Sequence, residues 1–340
     1  MILLIIFLFL LLLYITNDIW KKRQNRVIEL HDFNVQNTLA IRGLLALLIA
    51  LHHFSQAVDH LNLPIIREFV PLGAVIVGVF FFLTGYGLMI SYMKKGNNYL
   101  SNFLSHRFLK LLPAFIITNI AYLCILSLIS HTNAFSNIMR LKDGITPLPG
   151  SWFIYSIIYF YLAFYVTACL FSNKKHMIIS LWGASFLYVI IVRLLGWGNY
   201  WFMSIYALNI GQCYAYNEKR IKSIIKTSPI IIHYSIWSLF ALYVFVWITN
   251  QFVEITTFNR LYYCFTSIFV VYAIYFLGAI PSKLLRLVGE VSYEFYLVHG
   301  IFIHLLGFMK EHWILYLCTI YLSSFITAWL LHKLCKLISH

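Results

Sequence analysis

The sequence contains few charged residues, and this scarcity argues against a soluble globular protein. Only 11% of its 340 residues are charged and 61% are hydrophobic, with a mean hydropathy of +0.82. Charged residues make up about a quarter of an ordinary soluble domain. The net charge of +14 does not indicate nucleic-acid binding, because the basic residues form short clusters between apolar runs, as membrane topology requires. The composition predicts a protein embedded in a lipid bilayer, with no nucleic-acid partner.

The six cysteines lack the paired spacings of a disulfide framework or a zinc site. Each stands alone in an apolar run, where cysteine packs as a small hydrophobic residue. The chain also has no Gly-x-Ser-x-Gly turn, no P-loop and no His-Glu-x-x-His pattern. The common nucleophile, nucleotide and zinc templates therefore find no support. We predict no metal site and no permanently bound cofactor.

Long apolar runs dominate the rest of the chain. A helix needs roughly 20 residues to cross about 30 Å of hydrocarbon. Runs of suitable length lie near 1–17, 38–57, 70–93, 111–130, 151–171, 177–196, 199–216, 229–249, 260–280, 291–309 and 313–332. The expected fold is all-α, a polytopic transmembrane helix bundle of about 10–11 spans.

The chain shows no internal repeat, low-complexity tract or linker between modules. We therefore expect one membrane domain over residues 38–340. Residues 1–37 are predicted to add an N-terminal membrane helix and a basic cytoplasmic linker. That first helix lacks the basic start and small-residue cleavage site of a signal peptide, so we expect it to be retained.

Along the chain, loops rich in lysine and arginine alternate with loops that contain few of these residues. The rich loops contain Lys21, Lys22, Arg23, Arg26, Lys94, Lys95, Arg107, Lys110, Lys174, Lys175, Lys219, Arg220, Lys222, Lys226, Lys283, Arg286, Lys333 and Lys336. The poor loops contain Arg67, Arg140, Lys142, Arg193, Arg260 and Lys310. Because lysine and arginine concentrate in cytoplasmic loops, we expect the rich side to be cytoplasmic, the N-terminus outside and the C-terminus inside.

Arg42 and His53 lie eleven residues apart in the second predicted span. Eleven helical steps of about 100° complete three turns plus roughly 20°, so both side chains share one helix face about 16 Å apart along the axis. His52 falls about 80° from Arg42 and is the weaker partner. A membrane arginine costs roughly 3 kcal/mol and normally faces the bundle interior or a watery cavity. Snorkelling of Arg42 and simple packing of His53 explain the pair equally well.

A neutral histidine has a pKa of about 6.5 and can accept a proton from a hydroxyl at physiological pH. His53 is therefore a candidate general base. We expect Arg42 and His53 to line one water-accessible cleft open to the cell interior.

Two further stretches contain polar residues that have either a functional or a purely structural explanation. The run 78–86 contains Thr84 among small residues that allow close helix packing. Arg107 and Lys110 lie three residues apart on one side of a helix. The pair is explained either as an anchor at the cytoplasmic membrane surface or as a binding site for phosphate groups. Neither the anchor nor the packing explanation is excluded by residue types.

The predicted tenth span begins with a polar cluster. Ser292, Tyr296 and His299 align on one face, because they are spaced by one helical turn. Tyr293 and Glu294 lie between them, and Glu294 is the only acidic residue predicted inside a span. Such a carboxylate serves either function or interhelical hydrogen bonding.

Taken in order, these motifs resemble acyltransferase family 3, multispanning enzymes that acylate sugars of bacterial surface polysaccharides. The resemblance is carried by the Arg42–His53 spacing, the run 78–86, the Arg-x-x-Lys-x-x-Pro pattern at 107–113 and the Ser-Tyr-x-x-Tyr-Leu-x-His pattern at 292–299. It implies that Arg42 and His53 serve catalysis and that Arg107 and Lys110 bind the acyl donor, typically acetyl-CoA. The supporting candidates are His52, Thr84, Trp152, Ser292, Tyr293, Glu294, Tyr296 and His299.

The chain departs from the family pattern at several positions. Thr84 stands where many members have serine. Lys110 stands where many have arginine, so a bidentate pairing with phosphate is lost at position 110. Trp152 matches the family frame, but Ile157 and Ile158 stand where many polysaccharide-modifying members carry glutamate. This departure removes a second carboxylate and widens the range of acceptors. No hydrolase-like domain is appended, so we expect transfer to be completed within the membrane domain.

The resemblance implies an O-acyltransferase of the bacterial cytoplasmic (inner) membrane. It would move an acyl group, most simply acetyl, from acyl-CoA to a hydroxyl of a surface polysaccharide such as lipopolysaccharide, or of its lipid-linked precursor. The alternatives are a transporter or exporter of glycan or acylated sugar, and an idle relative acting as a scaffold. The lack of paired broken helices favours the enzyme.

Overall fold

A computed structural model describes residues 2–24, 35–130, 134–227, 229–252 and 282–338, together with residues 265, 266, 268, 269 and 273. Over these residues the secondary structure is helical and no strand is formed. A backbone surrounded by lipid must satisfy its hydrogen bonds within each segment, which helices do. The predicted all-α transmembrane bundle is confirmed.

The helices follow one another along the chain with short connections. They are α1 (Ile2–Gln24), α2 (Val35–Ala57), α3 (Pro64–Arg67), α4 (Gly73–Lys95), α5 (Asn97–Leu100), α6 (Phe103–Ser130), α7 (Ala134–Met139), α8 (Trp152–Leu170), α9 (Lys174–Leu194), α10 (Tyr206–Thr227), α11 (Pro229–Phe252), α12 (Lys283–Glu290), α13 (Ser292–Leu305) and α14 (Trp313–Ile338). Short 3-10 turns lie at Asp59–Leu61, Val70–Leu72, Arg140–Asp143, Asn199–Trp201 and Gly307–His312.

Six helical stretches in the described part of the chain are long and apolar enough to cross a membrane. They are Gln36–Ala57, Pro64–Lys95, Asn97–Leu128, Trp152–Leu170, Lys174–Leu194 and Gly307–Ile338, and shorter apolar helices lie at Ile5–Thr16 and His233–Val246. The protein is therefore a multi-pass membrane protein. The larger number of spans stays a prediction, because most of the run 260–280 lies outside the described residues.

Two predicted spans differ from the structure. The run 199–216 begins with a 3-10 turn, and its helix, α10, extends from Tyr206 to Thr227. The run 291–309 contains only the 14 residues of α13, followed by another 3-10 turn. At about 1.5 Å per residue α13 is too short to cross the hydrocarbon. It packs on α2, α6 and α14, so protein rather than lipid surrounds it.

Large apolar side chains are exposed on the outer faces of α8 and α9. Examples are Leu162, Val166, Ile179, Phe186 and Leu194. Apolar surface of this extent is rare on soluble monomers. It matches a helix face in contact with lipid tails.

Glycines bring two pairs of helices into backbone contact. A Cβ added at Gly85 or Gly211 would overlap a carbonyl oxygen of the partner helix, where α4 crosses α10. The same holds for Gly43 and Gly289, where α2 crosses α12. The close packing predicted for the run 78–86 is thus found at Gly85. Both crossings position helices that line the site described next.

Candidate active site

Two cavities lie between the helices, and each contains one member of the predicted catalytic pair. The first, of about 630 Å³, is lined by His52, His53 and His304 and is called the histidine cavity. The second, of about 480 Å³, is lined by Arg42 and Arg107 and is called the arginine cavity. Both volumes fall in the range of small-molecule sites.

His53 points a free ring nitrogen into the histidine cavity. Its Nδ1 lies 3.2 Å from Oε1 of Gln56, one turn further along α2. An amide oxygen only accepts, so Nδ1–H donates in this bond and Nε2 keeps its lone pair. A Cβ built on Gly150 would lie 3.4 Å from that Nε2. Gly150 has a φ of +77°, which a side chain would strain. The local backbone therefore leaves space in front of the basic nitrogen.

Both ring nitrogens of His52 contact neighbouring parts of the protein rather than the centre of the histidine cavity. Its Nδ1–H donates to the carbonyl oxygen of Phe69 at 3.1 Å. Its Nε2 lies against Gly73, the first residue of α4, so closely that a Cβ there would overlap the ring. His52 therefore packs α2 against α4.

His299 supports His53 from behind. The two rings stack with centroids 5.3 Å apart and planes inclined by 29°. His299 is only 2% exposed, and its Nδ1 bonds the carbonyl oxygen of Phe295 at 3.2 Å. Its Nε2 has no partner among the described residues. His299 lines neither cavity, so it positions the His53 ring without reaching the cavity space.

Three of the cations that line the arginine cavity have no carboxylate partner among the described residues. Arg42, Arg107 and Lys110 line it together. In the described part of the chain, none of these three forms an ion pair. The Nη2 of Arg42 lies at the long hydrogen-bond distance of 3.5 Å from Oγ1 of Thr38. Unpaired cations in a partly dry cavity attract an anionic ligand.

Aromatic rings hold Arg107 in place. Its Nη2 donates to the hydroxyl of Tyr99 at 2.6 Å, and its guanidinium lies 5.4 Å from the ring centre of Tyr161 and 5.7 Å from that of Phe103. Cation–π contacts of this kind fix a guanidinium without neutralising its charge. Arg107 is therefore a positioned cation, whereas Lys110 is exposed at the cavity mouth.

Most of the remaining predicted residues also line the arginine cavity, but their polar atoms already have partners. Thr84 donates to the carbonyl oxygen of Phe80, Ser292 to that of Gly289 and Tyr293 to that of Leu111. Glu294 is 8% exposed, and its Oε1 lies 2.8 Å from Nδ1 of His332. These contacts fit the structural explanation of the motifs.

A thin wall separates the two cavities. Val77 and Tyr296 line both of them. The hydroxyl of Tyr296 donates a hydrogen bond to the carbonyl oxygen of Gly150, and its ring meets Phe153 edge-on at 5.8 Å. One tyrosine from α13 therefore contacts the loop that faces His53 and also lines the arginine cavity.

The structure brings the predicted residues together in two groups rather than one. Arg42 and His53 share α2 as expected, but they open into different cavities. The single cleft predicted from their helix face corresponds to two adjoining cavities, and Val77 from α4 and Tyr296 from α13 line both of them. Trp152 lies in the wall of the histidine cavity.

Sequence reasoning missed Gln56 and Gly150. Gln56 follows His53 by three residues, a spacing that helix periodicity makes visible. Gly150 lies in a loop far away in sequence, and no local signal indicates that it reaches His53. Among the described residues, no group of three or more histidine, cysteine or acidic side chains is arranged to hold a metal ion.

Comparison with known proteins gives one match. The sequence model of a family described as an acyltransferase domain matches residues 40–333. This range includes every predicted site residue. No curated protein and no solved structure matches the chain.

Proposed function

The chain belongs to acyltransferase family 3, and from this membership and the two cavities we propose an O-acyltransferase. It moves an acyl group, acetyl in the simplest case, from acyl-CoA to a hydroxyl of a surface polysaccharide or its lipid-linked precursor. One observation carries the proposal. The Nε2 of His53 faces a cavity that adjoins, at Val77 and Tyr296, a second cavity lined by Arg42, Arg107 and Lys110, which form no ion pair among the described residues.

The donor enters the arginine cavity. Arg107, Lys110 and the end of α4 with Lys94 and Lys95 belong to the basic-rich side of the chain. By the concentration of basic residues in cytoplasmic loops, this side faces the cytoplasm, where acyl-CoA is made. The histidine cavity then opens on the opposite side, where a surface glycan precursor is accessible.

Arg107 and Lys110 bind the phosphates of CoA. Charge-assisted bonds from guanidinium and ammonium groups to phosphate are among the stronger ones in proteins. Arg42 lies deeper on α2 in the same cavity, and this position supports a role in directing the donor rather than in contacting the acceptor. The acyl group extends toward Phe153 and Ile157, which make that part of the cavity apolar.

His53 acts as the general base of the transfer. Its Nε2 removes the proton from the acceptor hydroxyl as the oxygen attacks the thioester carbonyl. The carbon–sulfur bond breaks, and the proton passes from His53 to the departing thiolate of CoA. Gln56 holds the tautomer that leaves Nε2 basic, and the stacked ring of His299 fixes its direction.

The wall between the cavities has to open during each cycle. The acyl group on one side and the hydroxyl on the other are separated by Val77 and Tyr296. Tyr296 is bonded to the carbonyl oxygen of Gly150. A movement of the Gly150 loop on acceptor binding would release Tyr296 and admit the thioester, so that donor is consumed only when acceptor is present.

The test is an acetyl-CoA transfer assay with the purified full-length protein in lipid nanodiscs. Release of free CoA thiol and mass of the glycan product are measured together. We expect CoA release that depends on glycan, with one acyl group added per thiol released. Solute movement without thiol release would instead identify a carrier, and neither reaction would identify a scaffold. Either outcome would refute the proposed function.

A further inference from the structure

The described residues that line the histidine cavity include a cation and no carboxylate. Arg140, in the 3-10 turn between α7 and α8, lines the cavity together with His53. None of the residues that line it is acidic. Among the described residues no ion pair involves Arg140, whereas Arg67, another basic residue of the poor loops, is paired with Asp59 at 2.9 Å.

Neighbouring groups make the Arg140 side of the histidine cavity more positive. Arg140 lies close enough to interact electrostatically with the hydroxyl of Tyr122, and the Tyr122 ring meets His304 at 5.8 Å. His304 in turn lies within the field of Lys310. Lys310 is thus a second cation near the histidine cavity. Each added positive charge increases the attraction of the cavity for an anion.

The segment that carries Arg140 is anchored by aromatic side chains. Nε1 of Trp197 donates to the carbonyl oxygen of Lys142 at 2.9 Å. Nε1 of Trp201 and the hydroxyl of Tyr200 both donate to the carbonyl oxygen of Gly144, at 2.9 and 2.8 Å. These bonds fix the backbone just after Arg140, so its exposed side chain extends from a defined backbone position at the cavity.

We infer that the acceptor carries an anionic group, which Arg140 binds while a hydroxyl of the same molecule reaches Nε2 of His53. The anion is either the carboxylate of an acidic sugar or the phosphate of a lipid-linked glycan, since a guanidinium pairs with both in a bidentate manner. Trp152 and Tyr200 line the same cavity and offer ring faces to a sugar. The conclusion that the bound molecule is an acyl acceptor rests on the proposed function. Binding of an anion at Arg140 does not depend on catalysis.

Binding is measured first, without donor. Purified full-length protein is titrated with two pairs of probes: a glucuronate-containing oligosaccharide and its carboxyl-reduced form, and a polyprenyl-phosphate glycan and its uncharged polyprenyl glycoside. We expect at least one charged probe to bind about tenfold more tightly than its neutral match, the scale of one charge-assisted bond. The pair that shows the difference identifies the source of the anion.

Two variants assign that difference to Arg140. Arg140→Gln is expected to remove the preference for the charged probe and to leave the neutral probe unaffected. Lys142→Gln is the matched control, because Lys142 is exposed in the same turn and lines neither cavity. An unchanged preference in Arg140→Gln, or equal binding of charged and neutral probes to the unaltered protein, would overturn the inference.

The same probes are then used with acetyl-CoA. If the charged probe binds through Arg140 but is never acylated, the anion site stands and the proposed function fails. If neutral and charged probes are acylated with equal KM, the function stands and the anion site fails. The two conclusions are thus tested separately.

Discussion

The two cavities share a wall but differ in the state of their polar groups. In the arginine cavity, Arg107 is held by aromatic rings and keeps its full charge. In the histidine cavity, His53 is held by an amide and a second imidazole and keeps an unprotonated nitrogen. Under the proposed function, the arginine cavity binds the charged donor and the histidine cavity contains the base that moves a proton. A substitution should therefore change either donor affinity or turnover, according to the cavity in which it lies.

The largest effect is expected in the histidine cavity. His53→Ala removes the proposed base, and losing a positioned base lowers rate by about 10² to 10⁴-fold. Turnover in the nanodisc assay should fall by that factor while acetyl-CoA affinity is unchanged. His176→Ala, at an exposed position of α9, is the control. An active, normally expressed His53→Ala protein would contradict the catalytic role.

The next effect is expected in the arginine cavity. The double variant Arg107→Gln with Lys110→Gln removes two charge-assisted bonds, so the KM for acetyl-CoA should rise on the order of 100-fold with a smaller change in kcat. Lys174→Gln with Lys175→Gln removes equal charge from exposed positions. If both double variants raise KM alike, general surface charge and not the cavity attracts the donor.

A smaller effect is expected from Gln56, the hydrogen-bond partner of His53. Gln56→Leu removes the acceptor of the Nδ1–H bond, so the tautomer is no longer selected and turnover should fall roughly tenfold. Donor KM should not change. Gln56→Glu supplies an oxygen acceptor again and should restore much of the rate. Equal losses in both variants would indicate that Gln56 serves folding rather than proton transfer.

The smallest effect is expected at the wall between the cavities. Tyr296→Phe keeps the ring but removes the bond to the carbonyl oxygen of Gly150, so the wall opens more readily. CoA release without acceptor should rise by about fivefold or less, the scale of one net hydrogen bond. Tyr188→Phe removes a hydroxyl that lines neither cavity and should leave CoA release unchanged. A strong loss of turnover in Tyr296→Phe would instead place its hydroxyl at the reacting groups.

The grouping of Arg107 with Lys110 was predictable because it depends only on helix periodicity, and α6 contains both residues. The placement of Arg42 and His53 on one helix was predictable for the same reason. Their separation into two cavities was not, because Val77 and Tyr296 come from other helices. Nor was the short length of α13, since an apolar run has the same appearance whether lipid or protein surrounds it.

Composition and periodicity alone determined that this chain crosses a membrane as helices, which helix carries the candidate base, and which cations lie one turn apart. These properties are local, because hydropathy and the helical repeat act over a few neighbouring residues. Only the tertiary structure decided that Gly150 faces His53, that Tyr296 lines both cavities, and that Arg140 adds a positive charge to the histidine cavity. Each of these contacts joins residues distant in the chain, and their approach depends on how the helices pack.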